Sequence, residues 1–463
     1  MTNRSTRSVR RLAWLDGLRI FAAVMILLYH AQLLFTQYRY TPQPTGLVHN
    51  LQLLLPAAGT LTTLSGWINL LGTPALFGFQ FVDVFILLSG FSLTLATRRC
   101  DLLGFWQKRL SRLLWPFWTV ALLSYPVLWA IGAATESYIP PIWNLFAAST
   151  FPLLFDYHGS LLLPISGPWW FLPLIISFTV CFPFLHRLMY RWGGRNLVAM
   201  SLVVTLGYRM LATYGFGGQP TYTMLDTANG PLPFYVFLAK LSTFVIGMVV
   251  AQAYKHGRGV LFWSQGKTLQ VGVVLYGAGF ICQFYRLGWV VCDLLVSLGL
   301  TLTCVVICRW LTSVDWNRRL ALNLGRYSYS FFLIHNFVVG QTLALFVQQD
   351  TVRYAIALPL MIIGTLVLAA ITDAVTPLLK RALNRLWQDT DYLLSRKPTV
   401  ATPGWVPSVG DTVRYLDQPW AVQAVEVLLD DGNYYLCKIA NQQQTRWVSQ
   451  DQLQLMAPTA IAS

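Results

Sequence analysis

Charged side chains are scarce in this sequence, and their scarcity excludes an ordinary soluble protein. Only 11% of the 463 residues are Asp, Glu, Lys or Arg, whereas 55% are hydrophobic. Soluble domains carry about 25% charged residues. Mean hydropathy is +0.52, and long apolar runs recur along the chain. The composition therefore predicts an all-α polytopic membrane protein.

Paired cysteines and metal-binding spacings are missing as well. The seven cysteines form no Cys-x-x-Cys pair and no cysteine–histidine pattern typical of zinc. Most of them lie in apolar stretches, where a free cysteine is usually a small buried hydrophobe: Cys181, Cys282, Cys292, Cys304 and Cys308. We therefore expect neither disulfides nor a metal site.

Acidic residues are outnumbered by basic ones, 18 to 33, which gives a formal net charge of +15. The basic residues are scattered among short loops, so we expect no nucleic-acid partner. The basic N-terminus, residues 1–11, resembles the start of a signal peptide. However, the apolar stretch after it is too long and has no clear small-residue cleavage site. We interpret that stretch as a retained first span.

Apolar windows predict about ten transmembrane helices. They lie near residues 12–35, 76–97, 113–133, 168–190, 196–213, 232–254, 268–285, 289–308, 327–349 and 354–379. Two further apolar segments, 51–71 and 141–163, are rich in Gly, Pro, Thr and Ser, and we predict loops or re-entrant elements there.

The charges of the loops predict the orientation of these spans. Loops on the N-terminal side carry most of the basic residues, including Arg98, Arg99, Lys108, Arg191, Arg195, Lys255, Arg258, Arg318 and Arg319. The opposite loops contain Arg39, Arg286 and Arg353. Because cytoplasmic loops collect Lys and Arg, we predict a multi-pass protein of the cell (inner) membrane with both termini in the cytoplasm.

The character of the chain changes after residue 380. We predict a transmembrane domain over 12–380, a linker helix over 381–397, a small β domain over 398–456 and a tail over 457–463. Alternating valines and tyrosines predict short strands, and the sequence Asp-Asp-Gly-Asn at 430–433 predicts a hairpin turn. We interpret this module as a small all-β SH3-like barrel that could bind a cytoplasmic protein or gate donor entry.

The first span contains residues that are costly to place in a membrane. A buried arginine costs roughly 2.5–3.5 kcal/mol at the centre of a span on insertion scales. Arg19 and His30 are eleven residues apart, so at about 100° per residue they lie within about 20° of one face and about 16 Å apart along the axis. Asp16 could pair with Arg19 locally and explain its presence, but it leaves His30 unexplained.

Other chemically active residues lie in later spans. His335 and Asp83 occur in apolar stretches, where an ionisable side chain is either a packing residue or part of a site. Histidine suits proton transfer because its unperturbed pKa, about 6.5, is close to the operating pH. Arg109 and Arg112, with Lys108, could hold a phosphorylated ligand or could simply anchor the third span at the membrane surface.

Five motifs occur in an order that resembles a known family. They are LDGLRIFAAVMILLYH (15–30), FVDVFILLSGFSL (81–93), the Arg109-x-x-Arg112 pair, GPWWFLPLIISF (167–178) and LGRYSYSFFLIHNF (324–337). Together they are similar to the membrane-bound acyltransferase-3 family over roughly residues 10–380. Ile20 stands where that family commonly has glycine. The fourth motif lacks the Ser-x-x-Glu-Glu seen in many members that modify O-antigen or peptidoglycan, which leaves the acceptor open.

The resemblance implies an O-acyltransferase that moves an acyl group, most often acetyl, to a hydroxyl of an exported or lipid-linked saccharide. Acetyl-CoA would be the donor substrate, and no tightly bound cofactor is expected. His30 would act as base or transient acyl carrier, while Arg19, Arg109 and Arg112 would engage the donor. His335, Asp83, Trp169 and Trp170 would line the same cavity.

Two other classes remain open. A transporter or flippase for saccharides or acyl groups would also have about ten spans, intramembrane charges and contacts with membrane lipids. A metal-dependent glycan polymerase or glycosyltransferase needs outer acidic residues, yet residues 36–74 contain no Asp or Glu. The His335-Asn336 pair also resembles a feature of another membrane acyltransferase family, which would change the fold but not the class of reaction.

Overall fold

A computed structural model describes most of the chain. It covers residues 12–58, 63–97, 102–135, 167–220, 224–233, 236–394, 408–427, 435–441, 444–449 and 453–456, with Ile139, Pro141, Ile142 and Leu145. The chain divides into two compact units, Met1–Lys380 and Arg381–Ser463.

The first unit is built from helices. In chain order they are α1 (Ala13–Phe35), α2 (Leu47–Ala58), α3 (Leu64–Gly72), α4 (Phe81–Ala96), α5 (Leu102–Thr135), α6 (Phe171–Trp192), α7 (Gly194–Met210), α8 (Val236–Ala239), α9 (Leu241–Lys255), α10 (Gln265–Cys282), α11 (Cys292–Leu311), α12 (Asp315–Leu324), α13 (Ser328–Thr342) and α14 (Thr351–Leu394). A small antiparallel sheet follows α7, with strands β1 (Gln219–Pro220), β2 (Met224–Thr227) and β3 (Gly230–Pro233).

Eight helical segments among the described residues are long and apolar enough to cross a membrane. They are Ala13–Phe35, Leu64–Ala96, Leu102–Thr135, Pro168–Trp192, Gly194–Gly215, Cys292–Leu311, Asp315–Val347 and Thr351–Leu386. The other two predicted spans coincide with α9, a shorter apolar helix, and with α10. The predicted polytopic helical fold is confirmed.

One of the two segments predicted as loops or re-entrant elements is largely helical among its described residues. The segment 51–71 contains the second half of α2 and nearly all of α3, which continues through a 3₁₀ segment, Thr73–Gln80, into α4. The side chain of Thr63 caps α3 by accepting a hydrogen bond from the backbone nitrogen of Gly66 at 3.1 Å. Thr63 and Gly66 are among the residues that favoured a loop, and here they form the N-terminal cap of α3. Most of the other predicted loop, 141–163, lies outside the described residues, as does the basic N-terminus, 1–11.

Contacts at the two ends of α1 show that α4 and α14 run antiparallel to it. Arg19, near the start of α1, donates to Ser92, near the end of α4, at 2.5 Å. Gln32, near the end of α1, accepts from Tyr354, near the start of α14, at 2.8 Å. We call these two ends of the helical unit the Arg19 end and the His30 end.

Helix α1 lies at the centre of the unit. It packs against α4, α11, α12 and α13, and Leu18, Ala22 and Ile26 on it are completely buried. Gly90 on α4 faces Gly247 on α9, and a methyl group on either would lie 2.1 Å from a carbonyl oxygen of the other helix. Only glycine permits this close approach of the two backbones.

The second unit contains a five-stranded antiparallel sheet. Its strands are β4 (Thr412–Tyr415), β5 (Gln418–Val427), β6 (Tyr435–Ala440), β7 (Thr445–Ser449) and β8 (Gln454–Leu455), in the order β7-β6-β5-β4-β8. Leu416 and Asp417 link β4 to β5 with φ angles of 50° and 61°, as a tight two-residue hairpin requires. The small β domain is confirmed, an SH3-like class stays a prediction, and the turn predicted at 430–433 lies outside the described residues.

Candidate functional site

The two intramembrane histidines meet, although they are 305 positions apart in the chain. Nε2 of His335, on α13, lies 3.2 Å from Nδ1 of His30, on α1. The ring centroids are 5.0 Å apart, with the planes tilted by 57°. His335 is completely buried, whereas His30 is partly accessible. His30 is therefore the member of the pair that a substrate can reach.

The partners of the two rings determine which nitrogens carry protons. Nδ1 of His30 lies 2.9 Å from the carbonyl oxygen of Ile26, and Nδ1 of His335 lies 2.5 Å from that of Phe332. A carbonyl oxygen can only accept, so both Nδ1 atoms carry hydrogen when the rings are neutral. Nε2 of His335 then accepts a hydrogen bond from Nδ1–H of His30. Within the described part of the chain this leaves the lone pair of His30 Nε2 available as a base or nucleophile.

Aromatic rings surround the histidine pair. Tyr29 packs edge-on against His30 with a centroid distance of 4.9 Å, and Phe332 packs against His335 at 5.5 Å. Phe332 in turn contacts Phe85 on α4 and Phe171 on α6. These rings limit the access of water to the pair, which strengthens its hydrogen bonds.

Trp169 supports the helix that carries His335. Its indole nitrogen donates to the carbonyl oxygen of Leu333 at 2.8 Å, and its ring packs edge-on against Phe117. Trp169 is completely buried, and its contacts are those of a positioning residue. Its role as a substrate contact stays a prediction. Trp170 is partly accessible and packs edge-on against Phe171.

Replacing Trp169 by phenylalanine is expected to lower the turnover rate by about fivefold and to leave the KM for the donor unchanged. Phenylalanine keeps the ring but removes the hydrogen bond that fixes α13, a bond worth about 1 kcal/mol. Steady-state kinetics on the purified variant would measure both constants. Trp192→Phe, at an exposed position, is the matched control. A rise in KM without a fall in kcat would contradict a positioning role.

Arg19 makes both a local bond and a bond to a second helix. Its guanidinium donates to Asp16 at 3.0 Å, as the spacing of the two residues predicts, and to Ser92 on α4 at 2.5 Å. The Arg19 side chain remains 29% exposed. Asp16 therefore explains how Arg19 is tolerated in the span, and Arg19 still reaches solvent.

The two arginines of the third span join Arg19. Arg109, on α5, is close enough to both Arg112 and Arg19 for their charges to interact. Three guanidiniums in one region repel one another, and an anion with several charges would relieve this repulsion. The structure thus brings the three predicted donor-binding residues to one place, the Arg19 end.

Asp83 belongs to a different cluster, which sequence reasoning missed. Its carboxylate lies 2.7 Å from Nζ of Lys240. The same Nζ lies 2.5 Å from Oδ2 of Asp293, and this oxygen lies 2.6 Å from Nη1 of Arg209. Helices α4, α7 and α11 and the turn between α8 and α9 supply these side chains. Arg209 also donates to the carbonyl oxygen of Trp289 at 2.8 Å. The structure does not place Asp83 with the histidine pair, so a catalytic role for Asp83 stays a prediction.

A signal for this ionic cluster was present in the sequence. Lys240 and Asp293 lie within predicted spans, and Arg209 lies near the end of another, where an ionisable residue indicates a partner. Composition does not say which acid meets which base, because the paired residues are as many as 157 positions apart. Among the described residues, no three His, Cys, Asp or Glu side chains are grouped so that they could hold a metal ion.

Comparison with known proteins identifies the family of this chain. The sequence profile of an acyltransferase domain, that of the acyltransferase-3 family, matches residues 12–372. No curated protein and no solved structure matches the chain. The matched region contains the histidine pair, His30 and His335, and the three arginines Arg19, Arg109 and Arg112, which we call the arginine group. It makes up most of the chain. This protein therefore belongs to the membrane-bound acyltransferase-3 family.

Proposed function

We propose that this protein is a membrane O-acyltransferase that moves an acyl group, acetyl in the simplest case, from acyl-CoA to a hydroxyl of an exported or lipid-linked saccharide. The observation that carries the proposal is the hydrogen-bonded His30–His335 pair. Helix α1 carries both His30 of this pair and Arg19 of the arginine group. One helix thereby presents a base and an anion-binding group, about 16 Å apart, on a single face.

The arginine group suits the donor. Coenzyme A carries several phosphate charges, and guanidinium groups bind phosphate through two parallel hydrogen bonds. The Arg19 end also collects most of the basic loops, which favours a cytoplasmic location for it, where acyl-CoA is made. With its phosphates at the arginines, the extended arm of the donor would direct the thioester along α1 toward His30.

The histidine pair suits the transfer itself. His30 Nε2 takes the proton of the acceptor hydroxyl while that oxygen attacks the thioester carbonyl carbon. The carbon–sulfur bond then breaks, and the departing thiolate takes the proton back from His30. The products are the acylated saccharide and free CoA. During the step His335 Nε2 and the Ile26 carbonyl accept from Nδ1–H of the positively charged His30, which stabilises that charge.

A covalent route uses the same atoms. His30 Nε2 first attacks the thioester carbonyl carbon, and the carbon–sulfur bond breaks to give a CoA thiolate and an acyl-imidazolium that keeps its Nδ1–H. The acceptor oxygen then attacks the acyl carbon, the carbon–nitrogen bond breaks to restore the Nε2 lone pair, and the hydroxyl proton passes to the thiolate, so that CoA leaves as the thiol. Both routes need the lone pair on His30 Nε2 and the acceptor at His335 Nε2. Rapid quenching with labelled donor, followed by digestion and mass spectrometry, would separate them, because only the covalent route labels His30.

Replacing Arg19 by glutamine is expected to raise the KM for acyl-CoA by about 10- to 100-fold, because a charge-assisted hydrogen bond contributes about 1.5–3 kcal/mol. Transfer rates measured against donor concentration would give the constant. Arg195→Gln, at an exposed position in the first turn of α7, is the control and should leave KM unchanged. An unchanged KM in the Arg19 variant would remove Arg19 from donor binding.

The product can be identified in cells. Surface saccharides from cells with and without the gene should differ by the mass of one acyl group per modified sugar, and mass spectrometry would name the sugar and the acyl group. A transporter or flippase would change how much saccharide reaches the surface, without any acyl mark that depends on His30. That second outcome would contradict the proposal.

A further inference from the structure

An apolar cavity lies on the side of α1 that faces away from the arginine group and the histidine pair. Its volume is about 230 Å³, and it is formed by α1, α11 and α12. Gly17, Ile20 and Phe21 line it from α1. Each of these positions is at least about 100° around the helix from Arg19. The cavity is therefore separate from the proposed acyl-transfer site.

The cavity opens where α12 meets the surface of the helical unit. Leu320 on α12 lines the cavity and is still 43% exposed, and its neighbour Trp316 is 71% exposed. Trp310, at the end of α11, is 67% exposed. Exposed tryptophans beside apolar helices are typical of the boundary between lipid tails and headgroups. This position places the mouth of the cavity within reach of membrane lipid.

The charge beside the mouth is positive. Arg318 and Arg319 are adjacent on α12, and within the described part of the chain no carboxylate lies at salt-bridge distance from either guanidinium. Residues 309–326 contain four arginines and one aspartate. A long arginine side chain can extend from such a helix toward a lipid headgroup. The segment therefore complements a negatively charged headgroup.

We propose that this cavity and the arginines of α12 form a binding site for one anionic phospholipid. One acyl chain of the lipid enters the cavity between α1 and α12, and the phosphate group lies against Arg318 and Arg319. A volume of about 230 Å³ is smaller than most small-molecule pockets, which suits part of a single chain. Basic groups at the membrane surface favour anionic over zwitterionic lipid.

The site is tested on the purified full-length protein by native mass spectrometry with two lipids that share their acyl chains, dioleoylphosphatidylglycerol and dioleoylphosphatidylcholine. We expect the anionic lipid to be retained preferentially. The double variant Arg318→Gln/Arg319→Gln should lower its retention by about fivefold for each arginine removed and leave the zwitterionic lipid unaffected. Arg191→Gln/Arg195→Gln, an exposed pair at the same end, should leave retention unchanged.

A cavity-filling variant tests the acyl-chain half of the site. Ala321 lines the cavity and is 8% exposed, so Ala321→Phe should place its ring in the space that the chain occupies and reduce retention of both lipids. If this variant does not fold, the arginine variants still decide. The proposal would be overturned if Arg318→Gln/Arg319→Gln lost no anionic lipid, or if it lost only as much as Arg191→Gln/Arg195→Gln.

Discussion

Replacing His30 by alanine is expected to reduce acyl transfer by about 10²- to 10⁴-fold while the protein still inserts and folds. A positioned general base contributes a factor of this size. Among the described residues, Nε2 of His30 is the nitrogen of the pair that has no hydrogen-bond partner, so its lone pair is available. His30 is only partly buried, so its removal opens little space in the core. Transfer of labelled acyl groups by the purified variant would measure the loss.

Two variants sharpen that result. His49→Ala changes an exposed histidine on α2 and should retain full activity. His335→Gln keeps an oxygen that can accept from His30 Nδ1–H, so it should lose less activity than a variant without an acceptor, such as His335→Leu. Equal losses in the two His335 variants would mean that His335 serves packing alone. Full activity in His30→Ala would remove the proposed chemistry altogether.

Replacing Lys240 by methionine is expected to lower the free energy of unfolding by about 3–5 kcal/mol, because it leaves buried charge uncompensated. Lys240 lies between two carboxylates, those of Asp83 and Asp293, and its side chain is only 3% exposed. Without it, the cluster holds two negative charges against the single positive charge of Arg209. Thermal unfolding of the detergent-solubilised protein would show the loss as a lower Tm.

Restoring charge balance should recover much of that stability. In Asp83→Asn/Lys240→Met the remaining pair, Arg209 and Asp293, is neutral overall and keeps its 2.6 Å contact. Lys267→Met, at an exposed position where lysine contacts Trp263, is the control and should cost less than about 1 kcal/mol. A double variant no more stable than Lys240→Met would show that the cluster acts through something other than charge balance.

Local features of the sequence predict much of this architecture. The apolar windows predict the helices, because a chain that crosses lipid in single segments can satisfy its backbone hydrogen-bonding groups only as a helix. The eleven-residue spacing places Arg19 and His30 on one face of α1, and the short distance from Asp16 to Arg19 predicts their contact, which is present at 3.0 Å. Each of these inferences needs only the geometry of a single helix.

Contacts between residues that are far apart in the chain could not be predicted from the sequence alone. His30 meets His335 because α1 packs against α13, and no periodicity within either helix predicts that neighbour. Asp83 lies in a family-like motif, yet its partner is Lys240, 157 positions further along the chain, immediately before α9. The sequence did not predict that α3 is a helix, because Thr63 and Gly66 favour turns in isolation. In the structure these two residues form the cap of the helix.

The most direct test of acyl transfer uses the purified protein in liposomes, with isotopically labelled acetyl-CoA on one side and candidate saccharides on the other. Protein, donor and acceptor together should yield an O-acetylated saccharide and one free thiol for each label transferred, and His30→Ala should yield neither. Release of the thiol together with labelled saccharide would establish the reaction. Movement of either compound across the membrane without covalent label on the saccharide would contradict it.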